Sequence, residues 1–232
     1  MIPVKTSPGL FRFATMLLSI VYGSSILAQV IDPDPNRFAQ EIQSFTQWDN
    51  KNATPQNPVV FIGSSSIRFW NTGERFPEMP VVNRGFGGSH ISDVIFFIDE
   101  TVLRYKPKMV IFYAGDNDIN DGKNNDQVVE DYAQFVNLVH ASNSDTMIVY
   151  IPIKPSLARW ALWPQMNAAN KRIRQYSKKS DHLLYVDLAS IVLGKDGLPR
   201  PKYFVTDGLH LSSAGYDVWT KKLNSFLNAL GH

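Results

Sequence analysis

The chain is constrained first by a rhythm. Five short apolar runs, Val59–Ile62, Val81–Val82, Met109–Tyr113, Met147–Ile151 and Leu183–Val186, alternate with segments of helical spacing. Each run is rich in β-branched or aromatic residues and lacks polar/apolar alternation, which is how a strand covered on both faces reads. Between the runs, Ile91, Val94, Ile95, Ile98 and Val102 share one helical face. Val128, Tyr132, Phe135 and Val139 share another, as do Met166, Ala169, Ile173 and Tyr176. The last helical pattern carries Trp219, Leu223, Phe226 and Leu230. Strands alternating with helices predict an α/β protein with a parallel sheet covered on both sides. After residue 55 there is no second composition regime and no repeat, so one domain is the better count for 232 residues.

The N-terminal part reads differently. Lys5 and Arg12 precede an apolar run, Phe13–Tyr22, which is followed by the small residues Gly23-Ser-Ser25 and then Ile26-Leu-Ala28. Basic, short apolar and small-residue regions in that order predict a secretory signal peptide over 1–28, cut after Ala28 or Ser25. An uncleaved N-terminal anchor is the alternative, although the run is short for a membrane span. The expected location is therefore periplasmic or secreted. Residues 29–57 form an extension: Asp32-Pro-Asp-Pro35 is kept out of helix by proline, and Phe38, Ile42, Phe45 and Trp48 then fall at helical spacing. The formal charge of +2 lies in the leader, and removing Lys5 and Arg12 leaves 21 basic and 21 acidic residues. That balance gives no support for nucleic-acid binding. With no cysteine, disulfides, thiolate metal sites and Cys nucleophiles are excluded.

In open parallel sheets, ligands sit beyond the carboxyl ends of the strands. The segments there are polar: Gly63-Ser-Ser-Ser66, Asn83-Arg-Gly-Phe-Gly-Gly-Ser-His90, Ala114-Gly-Asp-Asn-Asp118 and Pro152–Ser156 with Arg159 and Trp160. Asp207-Gly-Leu-His210 precedes the last helix. A serine is a weak nucleophile until a neighbouring base takes its proton, and the base works best when an acid fixes its tautomer. All three groups are present. On spacing alone Ser64 and Ser66 compete with Ser65, and His90 with Asp93 is a rival His/Asp pair, with His90 expected exposed or lining the pocket.

Four of these segments, Gly63-Ser-Ser65, Gly85-Phe-Gly-Gly88, Gly115-Asp-Asn-Asp118 and Asp207-Gly-Leu-His210, in this order, resemble the SGNH (GDSL-type) hydrolase superfamily over about residues 58–215. The resemblance implies a three-layer α/β/α sandwich with a five-stranded parallel sheet, flavodoxin-like in arrangement, over 58–232. It implies Ser65 as nucleophile, with Ser64 where the family usually has Asp. It implies Gly88 and Asn117, together with the Ser65 N–H, as the oxyanion hole, and Asp207 and His210 as the acid and base. Glycine suits close backbone approach to a substrate, and an oxyanion donor is worth about 3–4 kcal/mol. A G-x-S-x-G elbow is absent, since Ile67 stands at the last position, which argues against the α/β-hydrolase fold.

Other readings of the same motifs are weaker. Gly85-x-Gly-Gly88 lacks the third glycine of a dinucleotide fingerprint. The acidic run 116–121 has Asp121 and Gln127 where a calcium loop needs Gly and Glu, so Asp118 is expected to brace its loop instead. Arg159 and Trp160 are candidates to line the substrate pocket. The expected activity is hydrolysis of carboxylic (acyl or acetyl) esters, with no metal or organic cofactor. An acetylated glycan is favoured as substrate. A lysophospholipid esterase and a non-catalytic glycan- or partner-binding module are the alternatives.

Overall fold

In a computed structural model, residues 1–3 and 31–231 are described. The leader prediction falls mostly on residues 4–30 and so lies outside the described residues. Five strands form one parallel sheet: β1 (Val59–Gly63), β2 (Val81–Asn83), β3 (Met109–Tyr113), β4 (Met147–Tyr150) and β5 (Leu183–Tyr185). Their spatial order is β2-β1-β3-β4-β5. The chain first steps from β1 to β2, then returns across β1 to place β3 on its other side. The reversal makes the β1/β3 boundary the topological switch point, where a crevice opens at the strand ends.

Side chains alternate across this sheet and divide the core in two. Val60, Ile62, Val110, Phe112, Ile148 and Tyr150 face one layer of helices. That layer contains α1 (Ala39–Asp49), α4 (Ile91–Phe96), α5 (Ile98–Thr101), α7 (Asn125–Ser142) and α8 (Trp163–Ser177). Val59, Phe61, Met109, Ile111, Tyr113 and Val149 face the other layer. There α2 (Ser65–Arg68) and the turn α3 (Thr72–Arg75) pack with the long α9 (Ser213–Ala229). The short α6 (Asp116–Asn120) sits at the rim after β3. Strands β1 and β3 are buried at every position, as their unbroken apolar runs require. The result is the three-layer α/β/α sandwich.

Three details depart from the periodicity. The stripe from Ile91 to Val102 is two short helices, broken at Phe97 where the backbone leaves the helical region. In α9 the buried positions are Gly215, Tyr216, Trp219, Leu223 and Leu227, while Leu230 is exposed beyond the helix end. Trp48 of α1 is 62% exposed, so only Ile42 and the adjacent Phe38 and Phe45 turn inward. The extension is nevertheless joined to the sheet body. Phe38 and Ile42 belong to the same core as β1 and β3, and Asp49 is ion-paired with Arg84 beyond β2.

Gly63 ends β1 with φ +137°, a conformation that side chains rarely adopt. A Cβ there would stand 1.7 Å from the Tyr113 carbonyl oxygen. The missing side chain lets the ends of β1 and β3 close on each other, and the Ser64 N–H donates to that same carbonyl at 3.0 Å. Gly63→Ala is expected to cost about 3 kcal/mol or more, through strain plus overpacking. Urea unfolding checks this: the midpoint should fall at unchanged slope, and a wild-type midpoint would show that the close approach is dispensable.

Candidate active site

The three consecutive serines separate once the backbone turns. Ser64 is extended and caps α2, Ser65 opens the helix, and Ser66 follows it inward. Ser64 and Ser66 are buried, away from the imidazole. Ser65 is only partly buried, and its Oγ lies 3.0 Å from His210 Nε2. The imidazole Nδ1–H donates to Asp207 Oδ2 at 2.6 Å, which leaves Nε2 free to accept the Ser65 hydroxyl. Sequence spacing left three candidate hydroxyls, and only one of them reaches the histidine.

Asp207-Gly-Leu-His210 builds this half of the site from its own turn. Asp207 Oδ1 accepts the backbone N–H groups of Leu209 and His210 at 2.8 and 2.9 Å, so one carboxylate shapes the loop and grips the ring. The His210 ring N–H, then these two amides, hold Asp207 well below the usual carboxylate range, at about 2. Gly208 has φ +66° and accepts from Ala158 N, which docks the loop on the segment after β4. The ring of Phe69 meets the imidazole edge-on at 5.1 Å. Phe69 was missed in the sequence, although its i+4 spacing from Ser65 was a usable signal.

The other half comes from the loops after β2 and β3. Residues 85–88 run alongside α2: a Cβ on Gly85 would strike the Arg68 amide nitrogen at 2.4 Å, and one on Gly87 would lie 3.9 Å from Ser65 Cβ. Gly88 has φ +81° and is exposed, with open space where a side chain would be. Asn117 Nδ2 donates to the Ser89 carbonyl at 3.0 Å, joining the two loops. Its Oδ1 accepts from Arg159 Nη1 at 3.1 Å. Arg159 is also 3.4 Å from Asp116 Oδ2. An arginine on the amide oxygen fixes which way the amide points, because guanidinium can only donate. Trp160 stacks on Trp163 with centroids 6.4 Å apart.

Beneath these loops lie buried charges that the sequence reading passed over. Lys154 is buried 3.9 Å from Asp116, and burial pushes its pKa down while Asp116 opposes the shift. Lys123 is buried against Asp32, Asp118 and Asp131 at 2.5, 3.2 and 2.6 Å, and its ammonium is held charged by Asp118 and the other two carboxylates. Asp118 braces the loop as expected, accepting from Ile91 N at 3.1 Å, and burial pushes it up to about 6. His90 corrects an expectation. It is buried at the start of α4, not exposed, with Nε2 2.8 Å from Asp121. Asp93 accepts the His90 backbone N–H and pairs with Arg37. The rival His/Asp pair therefore serves the helix start and the charge network.

With this geometry in place, comparison with known proteins is informative. The model of the GDSL-like Lipase/Acylhydrolase family matches residues 67–218, which include Gly88, Asn117, Asp207 and His210 and begin two residues after Ser65. No curated protein matches the sequence. Solved structures share the fold. One, provisionally described as a platelet activating factor from Streptococcus pneumonia, has a TM-score of 0.73 at 22% identity, over 82% of this chain and 93% of that one. A GDSL-like lipase from Bacteroides thetaiotaomicron has a TM-score of 0.67 at 21% identity, over 85% and 98%. A variant of an acetyl-xylooligosaccharide esterase from Geobacillus stearmophilus has a TM-score of 0.56 at 16% identity, over 74% and 94%. The chain is a hydrolase belonging to the GDSL-like lipase/acylhydrolase family, within the SGNH superfamily.

Proposed function

We propose that the chain is an exported serine esterase that removes small acyl groups, acetyl above all, from a carbohydrate. The observation that carries the chemistry is the unbroken chain Asp207–His210–Ser65, with contacts of 2.6 and 3.0 Å. Ser65 Oγ attacks the ester carbonyl carbon as His210 Nε2 takes its proton. The carbonyl oxygen gains the negative charge, and the Ser65 N–H, the Gly88 N–H and Asn117 Nδ2 are the donors assigned to it. One Nδ2 hydrogen is used by Ser89, which leaves the second for the substrate. The tetrahedral species collapses, the C–O bond to the alcohol breaks, and His210 returns its proton to that oxygen. Water repeats the sequence on the acyl-enzyme, releasing the acid and restoring Ser65. Asp207 stays ionised throughout and stabilises the imidazolium.

The acyl side of the substrate has a place beside the imidazole. A depression of about 530 Å³ is lined by Phe69, Val205, Leu211 and Tyr216 together with His210 and Asp207. The likeness in fold to an acetyl-xylooligosaccharide esterase supports a sugar as the alcohol. Export is supported by the order of residues 1–28. No helix among the described residues is long and apolar enough to cross a membrane.

A fluorophosphonate probe is expected to label Ser65, and Ser65→Ala to abolish p-nitrophenyl acetate hydrolysis while Ser64→Ala and Ser66→Ala retain it. An adduct on either neighbour would move the nucleophile. Because the Asp207 pKa is lowered to about 2, its carboxylate stays charged above that pH. Loss of the Asp207 charge is therefore not expected to contribute to the fall in kcat/KM on mild acidification, and His90→Ala should leave the profile unchanged.

Asn117→Ala is expected to lower kcat about 10²–10³-fold with little change in KM. Arg159→Ala should give a smaller loss of the same kind, partly restored by Arg159→Lys. If Arg159 acts by orienting Asn117, the double variant is no worse than Asn117→Ala alone. Additive losses would assign Arg159 a direct contact with substrate instead.

N-terminal sequencing of protein recovered from the periplasm or medium is expected to begin at Gln29 or Ile26. Cytoplasmic protein that retains residues 1–28 would refute export.

A further inference from the structure

The N-terminal helix forms one wall of an open groove of about 1180 Å³ beside the edge strand β2. The opposite wall is residues 68–73, the segment that follows Ser65. Phe69 and Asn71 line this groove and also the depression that holds His210. The two spaces therefore adjoin at Phe69, one face of the groove ending where the imidazole begins. Arg68 extends from the nucleophile helix to Glu41 of α1, at 3.2 Å, and ties the two walls together.

The charges in the groove are matched. Glu41 faces Arg68, Asp49 faces Arg84, and Arg37 is paired with Asp93. No lining charge is left to attract a phosphate or a carboxylate. Two aromatic rings stand in water, Trp48 at 62% and Phe69 at 53% exposure. Gln40, Ser44, Asn52 and Asn71 supply amides and a hydroxyl between them. Flat aromatic faces among neutral donors and acceptors suit a ligand with apolar C–H faces and many hydroxyls. Ser44, Asn52 and Asn71 each use one donor inside the protein, on the Gln40 and Trp48 carbonyls and on Glu74, which leaves the Asn52 and Asn71 amide oxygens and second N–H groups for a ligand.

We propose that this groove binds a neutral oligosaccharide, with Trp48 as its stacking platform, and delivers an O-acetyl group on that chain past Phe69 to Ser65. The delivery step rests on the reading of Ser65 as an ester-cleaving nucleophile, whereas the binding itself does not.

Unacetylated xylohexaose is the binding probe, titrated calorimetrically into the wild type and into Trp48→Ala and Trp48→Tyr. Binding is expected in the wild type, about tenfold weaker in Trp48→Ala, the effect of about 1.4 kcal/mol, and largely restored by Trp48→Tyr. Phe96→Ala, an exposed aromatic outside the groove, is expected to bind as the wild type does. Trp48→Ala should also lower the ratio of kcat/KM for acetylated xylohexaose over p-nitrophenyl acetate by a similar factor. No xylohexaose binding by a protein that hydrolyses p-nitrophenyl acetate would overturn the groove alone. So would affinity unchanged by Trp48→Ala, or a Trp48→Ala defect confined to lysophosphatidylcholine hydrolysis. Xylohexaose binding without any ester hydrolysis would sustain the groove and overturn the esterase reading.

Discussion

The hydrogen bond between Ser65 and His210 joins residues 145 positions apart. A partly exposed hydrogen bond contributes about 1 kcal/mol net, too little to bring two ends of a chain together. The alignment is imposed from below. Trp70 Nε1 donates to Thr220 Oγ1 at 3.0 Å, and Tyr216 OH donates to the Ser66 carbonyl at 2.9 Å. Trp70, Tyr216 and Trp219 pack ring against ring between α2 and α9. Burying each such side chain contributes about 1.5–3 kcal/mol, several times what the polar contact can give. The serine helix and the helix after His210 are thus fixed to each other by aromatic packing, and the triad hydrogen bonds form in a geometry already set.

The opposite side of the crevice is held electrostatically. Asn117 lies between Ser89 and Arg159, Arg159 lies beside Asp116, and Asp116 lies over buried Lys154. A buried charge is tolerated only when paired, and removing one partner of such a pair costs about 3–5 kcal/mol. Each member of this chain therefore constrains the next, and the amide of Asn117 inherits a fixed direction. That suits the role proposed for it, to meet charge appearing on a substrate oxygen without reorganising.

What the sequence made legible follows from what burial does to composition. Strands covered on both faces must be apolar throughout, so β1 and β3 stood out, with ends within one residue of those observed. The long helices α7, α8 and α9 repeat their stripe over several turns, enough for periodicity to register. The one-turn helices α2 and α3 are shorter than any periodic window, and the break at Phe97 carries no glycine or proline to announce it. Site residues were legible where a motif holds them in a short local unit, as Asp207 and His210 are. Lys123 and Lys154 were not, because a polar run reads as solvated loop whichever way it turns. The partners that make burial tolerable for Lys123 meet only in the fold: Asp32 comes from the N-terminal extension, Asp118 from α6 and Asp131 from α7.

The extension ahead of β1 has the charges that those buried groups need. Asp32 reaches Lys123 at 2.5 Å and the Ser92 hydroxyl at 2.6 Å, while Asp49 accepts from Arg84 and, at 2.5 Å, from the Tyr105 hydroxyl. Arg84 lies in the loop that carries Gly88, and Lys123 lies just beyond the helix that carries Asn117. Two carboxylates outside the matched family region thus hold down both loops, those of Gly88 and Asn117, on the side of the crevice opposite His210. Without them, Arg84 would keep only neutral acceptors, and Lys123 would have Asp118 and Asp131 alone. The segment from Asp32 to the sheet is therefore neither a linker nor a spacer. It closes the charge balance behind the rim, and the same helix, by standing off from β2, leaves the groove that opens toward His210.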